Sequence, residues 1–459
     1  MASLAGLLKS AGHTVTGSDR NVYPPMSDEL KAMGIAYSEG YSPSNLTPAP
    51  DVVIVGNAIS RGNEELEAVL DGKLNYTSAA VTLKELFIRG KHSIAVAGTH
   101  GKTTTTALLA WALDRAGLNP GFLIGGVAEN FGKSFRATNS NYFVIEADEY
   151  DTAYFDKVPK MWHYLPDTAI VTNIEFDHAD IYRDLEAYKW AFSRFINLIP
   201  RNGRLIAGWD SPIVRELAPK SFAPVESFTY GSAEAPLDRS SHWTATDVRF
   251  SESGTSFRAM RGDSEWGAVT TTLAGAFNVR NTLAVIAAAE SIGADRNGVL
   301  EGLGTFRSVK RRMEVAGVVA GVVVMDDFAH HPTAVRETLG AIRQKYAGRR
   351  VVAVFEPRSY TAQRREFQAD FESALASADE IVLGGLFHPE RYTADTAIDP
   401  GAMVEGWKRS GRPAAHFQEP DAIADYLLPR LKPGDVVVIM SNGSFGGLHQ
   451  KLLSGLKDR

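Results

Sequence analysis

The chain has 459 residues, 44% of them apolar and 22% charged, with a formal net charge of -6 and no cysteine. That length exceeds one ordinary core and points to about two to four globular domains. The charge offers nothing to nucleic acid or an anionic membrane, disulfides and thiolate metal sites are excluded, and no apolar run nears the roughly 18 residues of a membrane span.

Helix and strand patterns alternate along most of the chain, which predicts α/β layers with mainly parallel sheets. Residues 1–90 read as a small α/β unit. In it "ASLAGLLKSAG" is an amphipathic helix closed by Gly12, "HTVTGSD" a strand ending in Asp19, "SDELKAMG" a helix, and "DVVIVGNAIS" a strand running into a polar loop. A second unit, residues 91–312, opens on the strand "KHSIAVAG" and passes through a glycine turn into the helix of "GTHGKTTTTALL". Two apolar strands follow, "YFVIEADEYD" and "DTAIVTNIEFDHAD", both ending in acidic residues. Residues 242–272 alternate between Gly and Asp turns and predict antiparallel hairpins. "NVRNTLAVIAAAESIG" is a helix, and the basic "VKRRM" near Val309 marks a boundary. In residues 313–459 the strands "GVVVMDD", "RVVAVFEP", "EIVLGGLF" and "DVVVIMSNG" alternate with helices.

The glycine turn raises the question of a phosphate. The usual spacing G-x-x-x-x-G-K-[ST] wants glycine at position 96, where this chain has Val96, so only Gly98 and Gly101-Lys102-Thr103 survive. Even so, a strand leading through glycines into a helix aims backbone N–H groups and a helix dipole at one point, and a lysine completes an anion site. Thr103 stands where a hydroxyl could meet Mg2+. The plain alternative is a strand–helix turn with a surface lysine. Glu146 ends an apolar strand beside that turn and could hold a metal, with Asp148 and Glu149 as rivals. Asp177, His178 and Asp180 cluster after the next strand and could position a second ion, although imidazole is an unusual Mg2+ ligand. Asp326 and Asp327 end a strand, and His331-Pro332-Thr333 open a helix. The adjacent histidines at 330 and 331 could suggest zinc, but neighbours seldom face one ion, so a helix-entry loop is the better reading. Arg358 sits in a loop after a further strand. These polar loops share the carboxyl ends of parallel strands, where open α/β sheets bind ligands.

"GTHGKTTTT", "EADEYD", "TNIEFDHAD", "NVRNTLA", "KRRME" and "DDFAHHPT" occur in the order in which the Mur ligase family carries them. The sequence resembles that family, the ATP-dependent amide ligases of peptidoglycan assembly, over essentially its whole length. The shortened loop is then the family's own form of a phosphate loop. The resemblance implies three α/β domains. A Rossmann-like N-terminal domain (1–90) is for UDP-N-acetylmuramate, a central P-loop ATPase domain (91–312) for ATP, and a Rossmann-like C-terminal domain (313–459) for a peptide. It implies ATP and Mg2+ as cofactors, with Gly98, Thr99, His100, Gly101, Lys102, Thr103 and Thr104 around the phosphates. Asn278 and Asn281 lie on the nucleotide side, and Arg312 and Asp327 close on the nucleotide from the hinge and third domain. Thr103 and Glu146 hold one Mg2+ and His178 helps hold a second, so Lys102, Glu146 and His178 are the expected catalytic set. His330 and Arg358 fall in matching motifs without an assigned role.

Within the family, "SDRNVYPPMS", "PGFLIGG", "FVIEADEYDTAYFDK" and "FEPRSYT" resemble members that attach the murein tripeptide L-alanyl-γ-D-glutamyl-meso-diaminopimelate to UDP-N-acetylmuramate in peptidoglycan recycling. Members that attach L-alanine, the alternative, typically carry "EADESD". No nucleic-acid or membrane partner is expected, and a cytoplasmic location is. Several members carry a carbamylated lysine on the helix after the D-H-x-D motif. That place falls here at Phe192, with Lys189 a poor substitute one turn earlier, so no such lysine is expected. The family pattern also has a strand and a G-x-x-G-type turn ahead of the helix near Ala2. The N-terminal domain is therefore expected to be truncated, with sugar-nucleotide binding in doubt.

Overall fold

The side chains of the strand His92–Ala97 divide by parity: Ile94 and Val96 enter one hydrophobic cluster, Ala95 and Ala97 another on the opposite face. The strand Thr168–Val171 beside it does the same, with Ile170 on the first face and Ala169 and Val171 on the second. Alternation with apolar residues on both sides is the signature of a parallel strand covered by helices above and below. A computed structural model shows this arrangement for residues 1–459, except 23–25, 178–180, 389, 391, 394 and 459, which are not described.

The strand His92–Ala97 lies inside a ten-stranded sheet. On one side come Tyr142–Glu146, Gly121–Ala128 and the antiparallel edge Lys133–Arg136. On the other come Thr168–Val171, Arg204–Gly208, Val225–Phe228 and then the meander His242–Ser251, Gly254–Arg261 and Ser264–Thr271. The expected hairpins thus extend the sheet. The helices Lys102–Arg115, Ala276–Ser291 and Arg296–Thr305 cover one face. Gly298 and Gly302 let the last of these approach the backbone of Ala116 and Ala112, where an added Cβ would come within 2.5 and 2.6 Å of Cα. The helix Leu185–Ile196 covers the other face, with Phe192 fully buried.

A six-stranded sheet follows, in the order Glu314–Val319, Val322–Asp327, Val436–Met440, Val351–Phe355, Glu380–Leu383 and Ala414–His416. All but the first pair run parallel. Parity again divides its core, with Val351, Ala353 and Phe355 on one face and Val352 and Val354 on the other. Near the N-terminus the strands are shorter and pair in twos, Thr16–Asp19 with Ala36–Glu39 and Val53–Val55 with Tyr76–Ser78. The segment "AYSE" is exposed throughout, so it has no alternation to betray it as a strand. The helix Ala2–Ser10 packs Leu4, Leu7 and Leu8 into the same cluster as Ala95 and Phe143 of the large sheet. No described helix is long and apolar enough to cross a membrane.

The six-stranded sheet carries one concentrated electrostatic load. Arg350 pairs with the buried Glu380 and, at 2.6 Å, with the buried Asp435. Removing the cation leaves two carboxylates at the base of the sheet short of a partner. Arg350→Met should therefore cost about 3 kcal/mol of stability, read as a lower midpoint at unchanged slope in urea unfolding. A midpoint within error of the parent would mean that the pair contributes nothing.

Candidate active site

The chain reverses its direction of sheet growth at the strand His92–Ala97, and the strand ends there enclose a glycine loop. Gly98 has φ 132° and presses on the neighbouring strand exit. A Cβ on it would lie 2.1 Å from Thr172 Oγ1 and 2.9 Å from the Asn173 carbonyl oxygen. Gly101, with φ 84°, caps the helix Lys102–Arg115 without a side-chain acceptor, and a Cβ on it would lie 2.9 Å from Asn281 Oδ1. The loop is pinned from below. Thr99 N donates to the Asn173 carbonyl at 2.9 Å, and His100 N donates to Asn173 Oδ1 at 2.9 Å. Thr172 Oγ1 and Asn173 Nδ2 donate to the His100 carbonyl at 2.7 and 3.0 Å. The bare glycine cap leaves the N–H groups of the first helical turn aimed at an external acceptor.

Lys102 lies over its own loop. Its Nζ donates to the Gly98 carbonyl at 2.6 Å and to Glu149 Oε1 at 3.0 Å. Glu149 is fully buried and also accepts from the Tyr188 hydroxyl at 3.1 Å. Burial alone would pull the Lys102 pKa down, but the carboxylates of Glu149, Asp148 and Glu146 outweigh it and hold the ammonium above its ordinary value. The cation is thus secured at neutral pH. Of the three acidic rivals, Glu149 serves the lysine, Asp148 pairs with Lys160 at 3.2 Å, and Glu146 faces Thr103. Sequence reasoning had no signal that would single out Glu149 as the partner of Lys102.

Thr103 Oγ1 donates to Glu146 Oε1 at 2.9 Å, Gly125 N donates to Glu146 Oε2 at 2.7 Å, and Arg312 Nη2 donates to Thr103 Oγ1 at 3.3 Å. Burial pushes the Glu146 carboxyl above its usual range, opposed by Lys102 and these hydrogen bonds. The Thr103–Glu146 separation suits a hard cation, since octahedral Mg2+ with bonds of about 2.0–2.1 Å sets neighbouring oxygens about 2.9 Å apart. Thr104 is buried one residue further on. Asn278 and Asn281, both buried, join through Asn281 Nδ2 to Asn278 Oδ1 at 3.1 Å, and Asn281 lies under Gly101. Asp327 ends the strand Val322–Asp327 and ties the connection between the two sheets to it: it accepts from Met313 N at 2.7 Å and Ala329 N at 2.8 Å. His178 and Asp180 lie outside the described residues. Lys189 pairs with Glu216 at 2.6 Å, away from these groups.

Contacts cross from this site to the six-stranded unit. Thr361 Oγ1 donates to the buried Asp177 at 2.8 Å. His100 and His331 stack with ring centroids 4.8 Å apart, and Glu175 Oε2 lies 3.2 Å from His100 Nε2. Glu175, two residues before the expected Asp177, was not singled out by its sequence context. Burial works against its charge, but hydrogen bonds from His100 and Thr333 bring its pKa down to about 2. Burial, and then the neighbouring His100, push His331 down to about 4. Elsewhere in the unit, His330 Nδ1 lies 3.0 Å from the Phe328 carbonyl, and the Arg358 guanidinium sits 3.8 Å over the Phe387 ring.

Comparison with known proteins agrees with this architecture. The profile of the Mur ligase family catalytic domain matches residues 1–91, that of the Mur ligase middle domain residues 96–289, and that of the Mur ligase glutamate ligase domain residues 311–443. The UDP-N-acetylmuramate–L-alanyl-γ-D-glutamyl-meso-2,6-diaminoheptandioate ligase of Escherichia coli is 40% identical over 457 residues, 99% of this chain and 96% of that one. The UDP-N-acetylmuramate–L-alanine ligase of Syntrophus aciditrophicus is 32% identical over 462 residues, 100% of this chain and 92% of that one. A crystal structure of a murein peptide ligase from Psychrobacter arcticus is 37% identical with a TM-score of 0.72, covering 100% of this chain and 97% of that one.

The Lys102–Glu149 pair makes a measurable prediction about stability. Lys102→Ala strands the buried carboxylate and should cost about 3 kcal/mol. Adding Glu149→Gln removes the stranded charge, so the double variant should recover part of that loss, with a coupling of about 2 kcal/mol in a double-mutant cycle. Additive losses would show that the two groups do not depend on each other.

Proposed function

The chain belongs to the Mur ligase family, and on that premise we propose that it joins UDP-N-acetylmuramate to L-alanyl-γ-D-glutamyl-meso-diaminopimelate at the expense of ATP. The observation that carries this reading is the full-length identity of 40% to a ligase named for that tripeptide, against 32% to one named for L-alanine. Both the amide-forming chemistry and the three α/β units fit it. Residues 1–90 take the sugar nucleotide, 91–312 take ATP and 313–459 take the peptide. All substrates are polar and none requires a membrane, so the cytoplasm is the proposed location.

In this reading the muramate carboxylate attacks the γ-phosphorus of ATP. The bond to the bridging oxygen breaks, ADP leaves, and an acyl phosphate remains. The peptide amine attacks the acyl carbon, the C–O bond breaks with its electron pair on the departing phosphate, and the nitrogen loses a proton to leave the amide. Such transfer demands positioning and charge neutralisation more than covalent help. The N–H groups of Gly101 to Thr104 would receive the transferring phosphoryl group, with the Lys102 ammonium beside them. Thr103 and Glu146 would hold one Mg2+, and His178 would help hold a second; bound there, Mg2+ would supply positive charge against the phosphates. Arg312 reaches Thr103 from the hinge, and Asp327 fixes that hinge. Asn278 and Asn281 support the loop from beneath.

The test is ADP release with UDP-N-acetylmuramate plus tripeptide, L-alanine or no amine. The tripeptide should show kcat/KM on the order of a hundredfold or more above L-alanine, because its extra carboxylates leave binding groups unsatisfied when absent. Preference for L-alanine would move the chain to the alanine-adding members. Lys102→Ala should lower kcat on the order of a hundredfold or more. Glu146→Gln should raise the Mg2+ concentration needed for half-maximal rate about tenfold or more. Unchanged Mg2+ demand would remove Glu146 from the metal site.

A further inference from the structure

Thr103 and Glu146 offer oxygens only. Across the loop lies a donor set of different chemistry, made by three segments far apart in sequence. His100 comes from the glycine loop, Glu175 from the exit of the strand Thr168–Val171, and His331 from the N-cap of the helix Pro332–Lys345. One ligand atom from each lies within 4.8 Å of the others. Glu175 Oε2 is the common vertex, 3.2 Å from His100 Nε2 and 3.9 Å from His331 Nδ1.

The last of these distances is the informative one. His331 Nδ1 accepts a long hydrogen bond, 3.3 Å, from Thr333 N, so it is unprotonated, and an ion bound there would take its one lone pair in place of that weak contact. A lone pair and a carboxylate oxygen face each other at 3.9 Å, too far for a hydrogen bond and lacking a proton to share. The ring is 7% exposed, and its Nε2 is buried without a hydrogen-bond partner among the described residues. Protein packing therefore does not use this imidazole fully. Tetrahedral Zn2+ with bonds of about 2.0–2.1 Å places its ligand atoms about 3.3 Å apart. The His100–Glu175 separation already matches that spacing, and the other two separations, 3.9 Å and up to 4.8 Å, must close toward it when the ion binds.

We propose that His100, Glu175 and His331 form a Zn2+ site that clamps the glycine loop to the six-stranded unit. Two imidazoles and one carboxylate suit zinc and disfavour Mg2+, which separates this site from the Thr103–Glu146 pair. Three protein ligands leave a fourth position for water. His330 takes no part: its Nδ1 is directed at the Phe328 carbonyl. An ion here ties together groups that must separate when the two units move apart. Zinc should thus act as a reversible brake on turnover, by holding the units closed.

The experiment is calorimetric titration of the chelator-stripped full chain with ZnCl2, in excess Mg2+ so that hard-oxygen sites are filled. One equivalent should bind, and the thermal midpoint should rise. Two variants remove a ligand while sparing the fold. Glu175→Gln alters a side chain that is 39% exposed. His331→Asn keeps a residue type that caps helices well. Each should weaken zinc more than about tenfold, whereas Glu146→Gln should leave zinc binding unchanged. Zinc should slow ADP release in the parent and have less effect in His331→Asn. Absence of binding, parental affinity retained in both ligand variants, or loss in Glu146→Gln would each overturn the site, the last by placing the ion at the magnesium pair.

Discussion

Lys102 and Glu149 meet where the first helical turn leaves its glycine loop, with the carboxylate fully buried and the lysine side chain 13% exposed. Taking both charges out of water costs several kcal/mol per ion, and attraction alone returns that only when the remaining hydrogen-bonding capacity is filled. The surroundings supply part of it. The Gly98 and Thr99 carbonyls accept from the ammonium, and the Tyr188 hydroxyl donates to the carboxylate. This need explains why an aromatic helix residue, the loop backbone and a strand exit converge on one point. It also leaves Glu146 free of the lysine's direct grip, so that its two oxygens turn to Thr103 and Gly125.

The second constraint is the hinge. Two consecutive arginines serve different units because Arg311 adopts φ 62° and turns the chain between them. Arg311 donates to the carbonyls of Ser441 and Gly443 at 2.7 and 2.6 Å, on the six-stranded side. Arg312 points back to Thr103. Asp327 secures the turn by accepting from Met313 N and Ala329 N, and burial raises its pKa, opposed first by Arg312. The turn therefore links the six-stranded unit directly to the loop. The contacts of His100, Glu175 and His331 provide a second, independent tie across the same gap.

The layered α/β fold was legible because parity in buried strands is a local property. Runs such as "IAVAG" and "VVAVF" carry apolar residues on both faces, which only a sheet covered on both sides can bury. The hairpins of residues 242–272 were legible from alternation and turn residues; their joining onto the large sheet was not, since edge pairing leaves no mark in the strand itself. The short strands near the N-terminus were partly missed because "AYSE" and "YTS" lack an apolar face to display.

By itself the sequence determined the glycine loop, the lysine at the helix start and the acidic strand ends, because these follow from spacings of a few residues and the backbone geometry those spacings impose. It also carried the family likeness, through six motifs in order. Only the tertiary structure decided which carboxylate received which partner. Glu146, Asp148 and Glu149 lie within four residues, and their fates diverge with the turn the chain takes after its strand: Thr103, Lys160 and Lys102. Glu175 and His331 came together for the same reason. Parallel strands need crossovers, so strand exits distant in sequence arrive side by side, and the partners of a side chain at such an exit are set by the order of strands in the sheet and the packing of one unit on another.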